Sequence, residues 1–308
     1  MPPLVGAHMS IAGGAWKAFA RGTAAGCTAM QIFTKNASQW EAPPLAPEDI
    51  RLFREEAEES GLAPVFAHDA YLINMASPSE GLRKKSCRAF LDEMERAKKL
   101  GLAGLVMHPG AHKESGVQEG IRKVVESINW VHERTPGSAV TICLENTAGQ
   151  GTVLAGDFSH LEGIFSGVRE ADRLGICFDT CHAFAAGYEL RTPEGYEKTM
   201  SALEAAVGRN RVRIIHTNDA KGELGGRLDR HAHLGRGRIG LGCFRFIMND
   251  PRFDGVPKIL ETPKEEDGLD MDRVNLGVLR ALRGKSRVPP RLLERIADRV
   301  RGEAGDVP

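Results

Sequence analysis

The sequence has no net charge, no Cys-x-x-Cys pair and no long apolar run, and each absence removes a class of function. Its 41 Lys and Arg balance 41 Asp and Glu over 308 residues, so no sheath of basic residues coats a polyanion and any nucleic-acid site must be local. The six cysteines (Cys27, Cys87, Cys143, Cys177, Cys181, Cys243) are scattered through apolar or helical stretches, which suits small buried residues in a reducing compartment rather than a disulfide framework. No segment approaches the ~20 apolar residues of a membrane span, and MPPLVGAHMS has no basic region ahead of an apolar one. A cytoplasmic chain without membrane contact is expected.

What is present is a repeat. Apolar runs rich in β-branched residues recur near 4–8, 29–34, 64–68, 104–108, 139–145, 174–179, 212–218 and 258–262, separated by helical periodicity such as PEDIRLFREEAEESG and RKKSCRAFLDEMERAKKLG. Gly61 and Gly101 mark helix stops just before the next strand. Eight such units predict an α/β fold, a (β/α)8 TIM barrel, over residues 1–283, for which ~250 residues are typical.

The runs end on residues that bind metals: FAHD at His68, LVMH at His108, ICLE at Glu145, ICFD at Asp179, RIIH at His216 and ILE at Glu261, with LVGAH at His8 as a weaker case. A parallel barrel gathers the carboxyl ends of its strands on one face, so these residues are expected to converge. His182 follows Asp179 by three in DTCH, and Asp229 precedes His231 by two in DRH. His132 and His160 lie in helical context and read as structural. The set of His68, His108, Glu145, Asp179, His182, His216, Asp229, His231 and Glu261 contains no thiolate and exceeds what one tetrahedral site uses. Two or three metals are the natural count; imidazole with carboxylate suits zinc and leaves manganese or iron open. Three divalent ions against four carboxylates leave an excess of about two positive charges, which suits a phosphodiester.

Two loops exceed what packing needs: 180–196 and 219–242, the second with seven glycines and expected to cover the site. From Arg283 to Arg301 there are seven Lys or Arg against two Asp or Glu. Within this 284–308 extension, Pro289 and Pro290 can start a helix with Leu292, Leu293, Ile296 and Val300 on one stripe. It reads either as a helix docked outside the barrel or tail, or as a basic arm touching nucleic acid.

The motifs GAHMSIAGG (6–14), FTKN (33–36), HDAYLIN (68–74), HPGAH (108–112), ENTAGQG (145–151), DTCHAFAAGY (179–188), HTNDAK (216–221), DRHAHLGRGRIG (229–240) and ILET (259–262) closely resemble, in order and spacing, the endonuclease IV family of apurinic/apyrimidinic endonucleases. The resemblance implies a xylose isomerase-like TIM barrel with three Zn2+ per chain that cuts duplex DNA 5′ to an abasic site, leaving a 3′-hydroxyl. It assigns one zinc to His68, His108 and Glu145, a second to Glu145, Asp179, His216 and Glu261, and a third to His182, Asp229 and His231. Glu261, with Glu145, is implied as catalytic, Glu261 orienting or deprotonating the nucleophile. Tyr71 and Leu72 match the loop that enters DNA at the lesion, and Lys35, Asn36 and Arg230 are implied as further DNA contacts. A monomer without an organic cofactor is expected.

Two departures stand out. Ser38 follows FTKN where members often carry an arginine, and His233 is an extra imidazole beside DRH, read as supporting a ligand or facing phosphate. The rival readings are a sugar isomerase or epimerase on the same barrel, which has no use for the third donor set or for Tyr71 and Leu72, and a lesion-binding protein without turnover.

Overall fold

The structure is a computed structural model that describes residues 3–208 and 210–305, the last three by backbone alone. Eight parallel strands close a barrel: β1 (Val5–Met9), β2 (Met30–Phe33), β3 (Val65–His68), β4 (Gly104–Met107), β5 (Thr141–Glu145), β6 (Leu174–Asp179), β7 (Val212–His216) and, after an antiparallel pair β8 (Asp219–Ala220) and β9 (His231–Ala232), β10 (Lys258–Leu260). Around the barrel the order is β1-β10-β7-β6-β5-β4-β3-β2. Closure is made where Val5, Gly6 and Ala7 pair with Lys258, Ile259 and Leu260. Gly6 is required there, because a Cβ would stand 1.8 Å from the Ala29 carbonyl oxygen on the way into β2.

The helices α1 (Lys17–Ala25), α2 (Pro47–Ser60), α3 (Glu80–Leu100), α4 (Val117–Arg134) and α5 (Phe158–Gly167) alternate with the strands. As the periodicity predicts, Gly61 and Gly101 end α2 and α3 in the left-handed region, with φ of 65° and 75°. After β6 come α6 (Thr180–Ala186) and α7 (Pro193–Val207), followed beyond β9 by α8 (Leu241–Asn249), α9 (Met271–Leu282) and α10 (Leu292–Gly305). The stretch 180–196, expected as a loop, is thus largely helical. The Asp179 carboxylate caps α6 by accepting from the His182 N–H at 2.7 Å, and Gly187 closes it in the left-handed region.

Two apolar layers follow from the two-residue period of a strand. Outward-facing residues such as Ala67, Leu105, Leu144 and Ile215 pack against the helices. Ala29, Phe66, Val106, Cys143, Cys177, Ile214 and Ile259 fill the barrel interior. The next inward residue of each strand lies two positions further on: Gln31, His68, His108, Glu145, Asp179, His216 and Glu261. The apolar plug therefore carries the polar layer directly above it.

The extension after residue 284 packs through α10 on α9. Leu292, Ile296, Ala297 and Val300 are buried in the same apolar cluster as the barrel helices, with Leu293 partly buried against it. Among the described residues no helix is long and apolar enough to cross a membrane.

Candidate metal centre

All nine residues singled out by position come together at the carboxyl ends of the strands, and they fall into three donor sets. His68, His108 and Glu145 form one; Glu145, Asp179, His216 and Glu261 form the second; His182, Asp229 and His231 form the third. Within each set the donor atoms lie within 4.8 Å of one another. Glu145 joins the first two: its Oε2 is 3.2 Å from both His68 Nε2 and His108 Nε2, and its Oε1 is 3.0 Å from His216 Nδ1. His182 Nε2 is 3.3 Å from Asp229 Oδ1, and His231 Nε2 is 3.7 Å from both Asp229 Oδ1 and Asp179 Oδ2.

The charges of this cluster depend on one another. Burial alone would raise Glu145, yet the charges of His216 and His108, with hydrogen bonds from His108 and His182, hold it well below the usual carboxylate range. Glu261 is held low against burial chiefly by His216. In return, although burial pulls His216 down, Glu261 and Glu145 raise it to about 10. Buried carboxylates this close require compensating positive charge. His231 Nε2, buried and without a hydrogen-bond partner, faces two carboxylates. That orphaned nitrogen and the nitrogen and oxygen donor set fit divalent metal ions.

Two thiols stand near these donors, Cys177 beside Glu145 and His216, and Cys181 beside Asp179 and His231. Burial pushes both thiols up, and neighbouring carboxylates add to the shift. All six cysteines are free and buried.

A supporting layer holds the donors, and the sequence reading missed most of it. Gln31 Nε2 donates to Glu261 Oε1 at 2.7 Å and faces His8 Nδ1 at 3.0 Å, while its Oε1 faces His216 Nε2 at 2.8 Å. Its signal was the strand register: Gln31 follows the interior residue Ala29 by two, as each strand-end ligand follows its own plug residue. Asn218 ties two donors together, giving Nδ2 to Asp179 Oδ2 at 2.7 Å and accepting the Glu261 N–H at 2.8 Å. Asn146 accepts the Asp179 N–H and donates to its carbonyl. His8 stands 3.5 Å from Glu261 Oε1, a neighbour of the centre. Asp219 accepts the backbone N–H groups of Ala220, Gly235, Ile239 and Gly240, pinning the glycine-rich loop that delivers Asp229 and His231.

The residues expected to meet DNA divide. Tyr71 is 72% exposed and Leu72 36%, and the remaining exposed large apolar side chain among the described residues is Leu228 at 40%, next to Asp229. Asn36, Ser38 and Arg230 are exposed. Lys35 is buried, its Nζ donating to the Trp40 carbonyl at 2.9 Å and paired with Asp92 and Glu93. Its ammonium is engaged inside the protein by these three partners. His233 stands outside the three donor sets, with Nδ1 facing the Asn275 amide at 3.0 Å. His132 and His160 lie away from the cluster; the Ala155 N–H donates to His160 Nδ1.

Comparison with known proteins agrees with this geometry. The family model described as xylose isomerase-like TIM barrel matches residues 19–282. A relative from Chloroflexus aurantiacus named probable endonuclease 4 is 50% identical over 280 residues, 91% of this chain and 98% of the relative. Another of that name from Trichlorobacter lovleyi is 49% identical over 282 residues, 92% of this chain and 100% of the relative. The crystal structure of endonuclease IV from Thermus thermophilus superposes with a TM-score of 0.79 at 36% identity, covering 91% of this chain and 98% of that one. A D-tagatose 3-epimerase-like protein shares the fold alone, with a TM-score of 0.66 at 18% identity over 97% of this chain and 99% of that one. The chain belongs to the endonuclease IV family.

Proposed function

We propose that the chain is a DNA repair endonuclease that hydrolyses the phosphodiester 5′ to an abasic site in duplex DNA, leaving a 3′-hydroxyl and a 5′-deoxyribose phosphate, and that it also removes 3′-blocking groups. The observation that carries the reading is the convergence of nine nitrogen and oxygen donors into three adjoining sets. His68, His108 and Glu145 would hold one zinc ion, Glu145, Asp179, His216 and Glu261 a second, and His182, Asp229 and His231 a third. When bound, such ions supply Lewis acidity to a phosphodiester oxygen and lower the pKa of a water toward ~7.

The chain's own residues divide the remaining work. Glu145 and Asp179 are sealed, with side chains 1% and 0% exposed, whereas Glu261 in the same set is 18% exposed. Glu261 is therefore the carboxylate of that set able to orient the attacking water or take its proton. Gln31 and His216 fix its two oxygens from below. Tyr71 and Leu72 form an apolar wedge beside His68. Inserted at a lesion, they would offset lost stacking where an abasic site already makes opening cheap. Asn36 and Arg230, both exposed, would meet the strands, and the chain acts as a cytoplasmic monomer without an organic cofactor.

An epimerase would need neither the third donor set nor an exposed apolar wedge, and both are present. The test is incision of a duplex with one abasic analogue, with and without chelator, while metals per chain are counted. Chelator-sensitive cutting on the 5′ side is expected; an intact duplex with three zinc ions bound would reject the reading.

A further inference from the structure

The helical layer contains a second charged cavity that shares no lining residue with the metal cluster. It measures about 780 Å3 and is bounded by the end of α1, by α9 and by α10. Six cationic side chains line it, Arg273, Arg280, Arg283, Lys285, Arg295 and Arg299, and among the described residues no carboxylate does. It reaches Gly26, which precedes β2 and so lies toward the amino-terminal end of the barrel, opposite the metal-bearing face.

The charges are placed by packing. Gly277 of α9 admits Ile296 of α10, since a Cβ there would stand 2.9 Å from the Ile296 side chain. With Ile296 and Val300 turned into that contact, Arg295 and Arg299, four residues apart, share an adjoining face. Arg280 donates to the Gly26 carbonyl, and burial pulls its guanidinium down. Arg283 donates to the Met248 carbonyl and to Asp254. Among the described residues Lys285, Arg295 and Arg299 enter no ion pair. Some helical arginines elsewhere on this neutral chain are paired, as Arg51 is with Glu48 and Glu55, and Arg122 with Glu119 and Glu126. Lys285, Arg295 and Arg299, gathered in a concave site and without an ion pair among the described residues, raise the local potential and favour an anion. Several guanidiniums from different elements suit the multiple oxygens of phosphate.

We propose that this cavity is a second site for phosphate groups, with Arg280 of α9 and Arg295 and Arg299 of α10 as its principal contacts. The relative from Trichlorobacter lovleyi is matched over 100% of its length by 282 residues, and the family match ends at residue 282, before α10 begins. Arg295 and Arg299 thus lie beyond the family match, whereas Arg273 and Arg280 lie within it. The phosphates come either from a nucleic-acid backbone or from a free polyphosphate, and the two sources can be separated.

The test compares the metal-loaded full-length protein with the double variant Arg295→Ser, Arg299→Ser. Both side chains are exposed, so an unchanged melting midpoint without ligand verifies the fold. Inorganic tripolyphosphate is titrated by calorimetry, with zinc counted afterwards, and an undamaged duplex by anisotropy. The metal centre contributes alike to both proteins, so the difference reads the cavity. A loss of at least about 10-fold is expected from removing two charge-assisted contacts. Loss with tripolyphosphate alone assigns a free polyphosphate; loss with the duplex assigns the strand backbone. Equal affinities of the two proteins for both probes would overturn the proposal.

Discussion

Lys35 and Glu93 meet 3.4 Å apart with only 1% of either side chain exposed. Burial, with the charge of Asp69 adding to it, pushes Glu93 up to about 7 while Lys35 pulls it back. Glu93 also accepts the Ala70 N–H at 3.1 Å, so the pair anchors the segment that presents Tyr71 and Leu72. Lys35→Met is expected to destabilise the fold by about 3 kcal/mol, the order found when one partner of a buried pair is removed. The denaturant midpoint checks this. A lysine that touched phosphate would instead lower the salt dependence of DNA binding at unchanged stability.

Gln31→Leu removes an amide that holds His216 and Glu261 in place. A metal affinity lower by about 10–100-fold is expected, the usual cost of losing an outer partner of a ligand. Zinc retained after dialysis against a weak chelator measures it, and retention equal to wild type would show that the donors hold their geometry unaided.

Glu261→Gln keeps the shape of the side chain and removes its charge. Incision should fall by about two orders of magnitude or more, the range for a lost general base, while abasic-duplex binding persists. Single-turnover rates together with anisotropy separate the two; an undiminished rate would assign the water's proton to another group.

Replacing Tyr71 and Leu72 with alanine should weaken binding of abasic duplex more than undamaged duplex. Because both side chains are exposed, stability should change by no more than about 0.5 kcal/mol for each. Zinc loss in this variant would make the pair structural.

His132 supplies a pH prediction away from the metals. Burial, with Arg173 nearby, lowers its imidazole to about 4, and neither ring nitrogen has a hydrogen-bond partner. The unfolded chain takes up a proton below about 6.5, which the folded chain refuses until about 4. This contribution to stability is complete above that upper value and is lost as pH falls through the window. His132→Leu should therefore flatten the decline of the denaturant midpoint over that range; parallel curves would show that the ring titrates alike in both states.

Much of the barrel was legible because its signal is local. A run of β-branched residues closed by His, Asp or Glu states both a strand and its inward ligand, as at FAHD and ICFD. The unread parts depend on distant partners. Lys35 looks like a loop cation until Asp92 and Glu93 arrive from α3. Gln31 is a lone amide whose importance appears only when its strand is aligned with the others by the residue that plugs the barrel. The segment after Asp179 reads as loop in the sequence because a helix of seven residues carries little periodicity, although its aspartate cap and closing glycine are both there.

The distribution of Glu145 across two donor sets has a consequence for how the molecule is made. His68 and His108 reach it from early strands, and His216 and Glu261 from late ones. During synthesis the first set can assemble before β6 exists, but the second needs β10, the strand that also pairs with β1. A metal ion held at that second position would therefore report that the chain has closed on itself, and would strengthen the completed ring over every shorter intermediate.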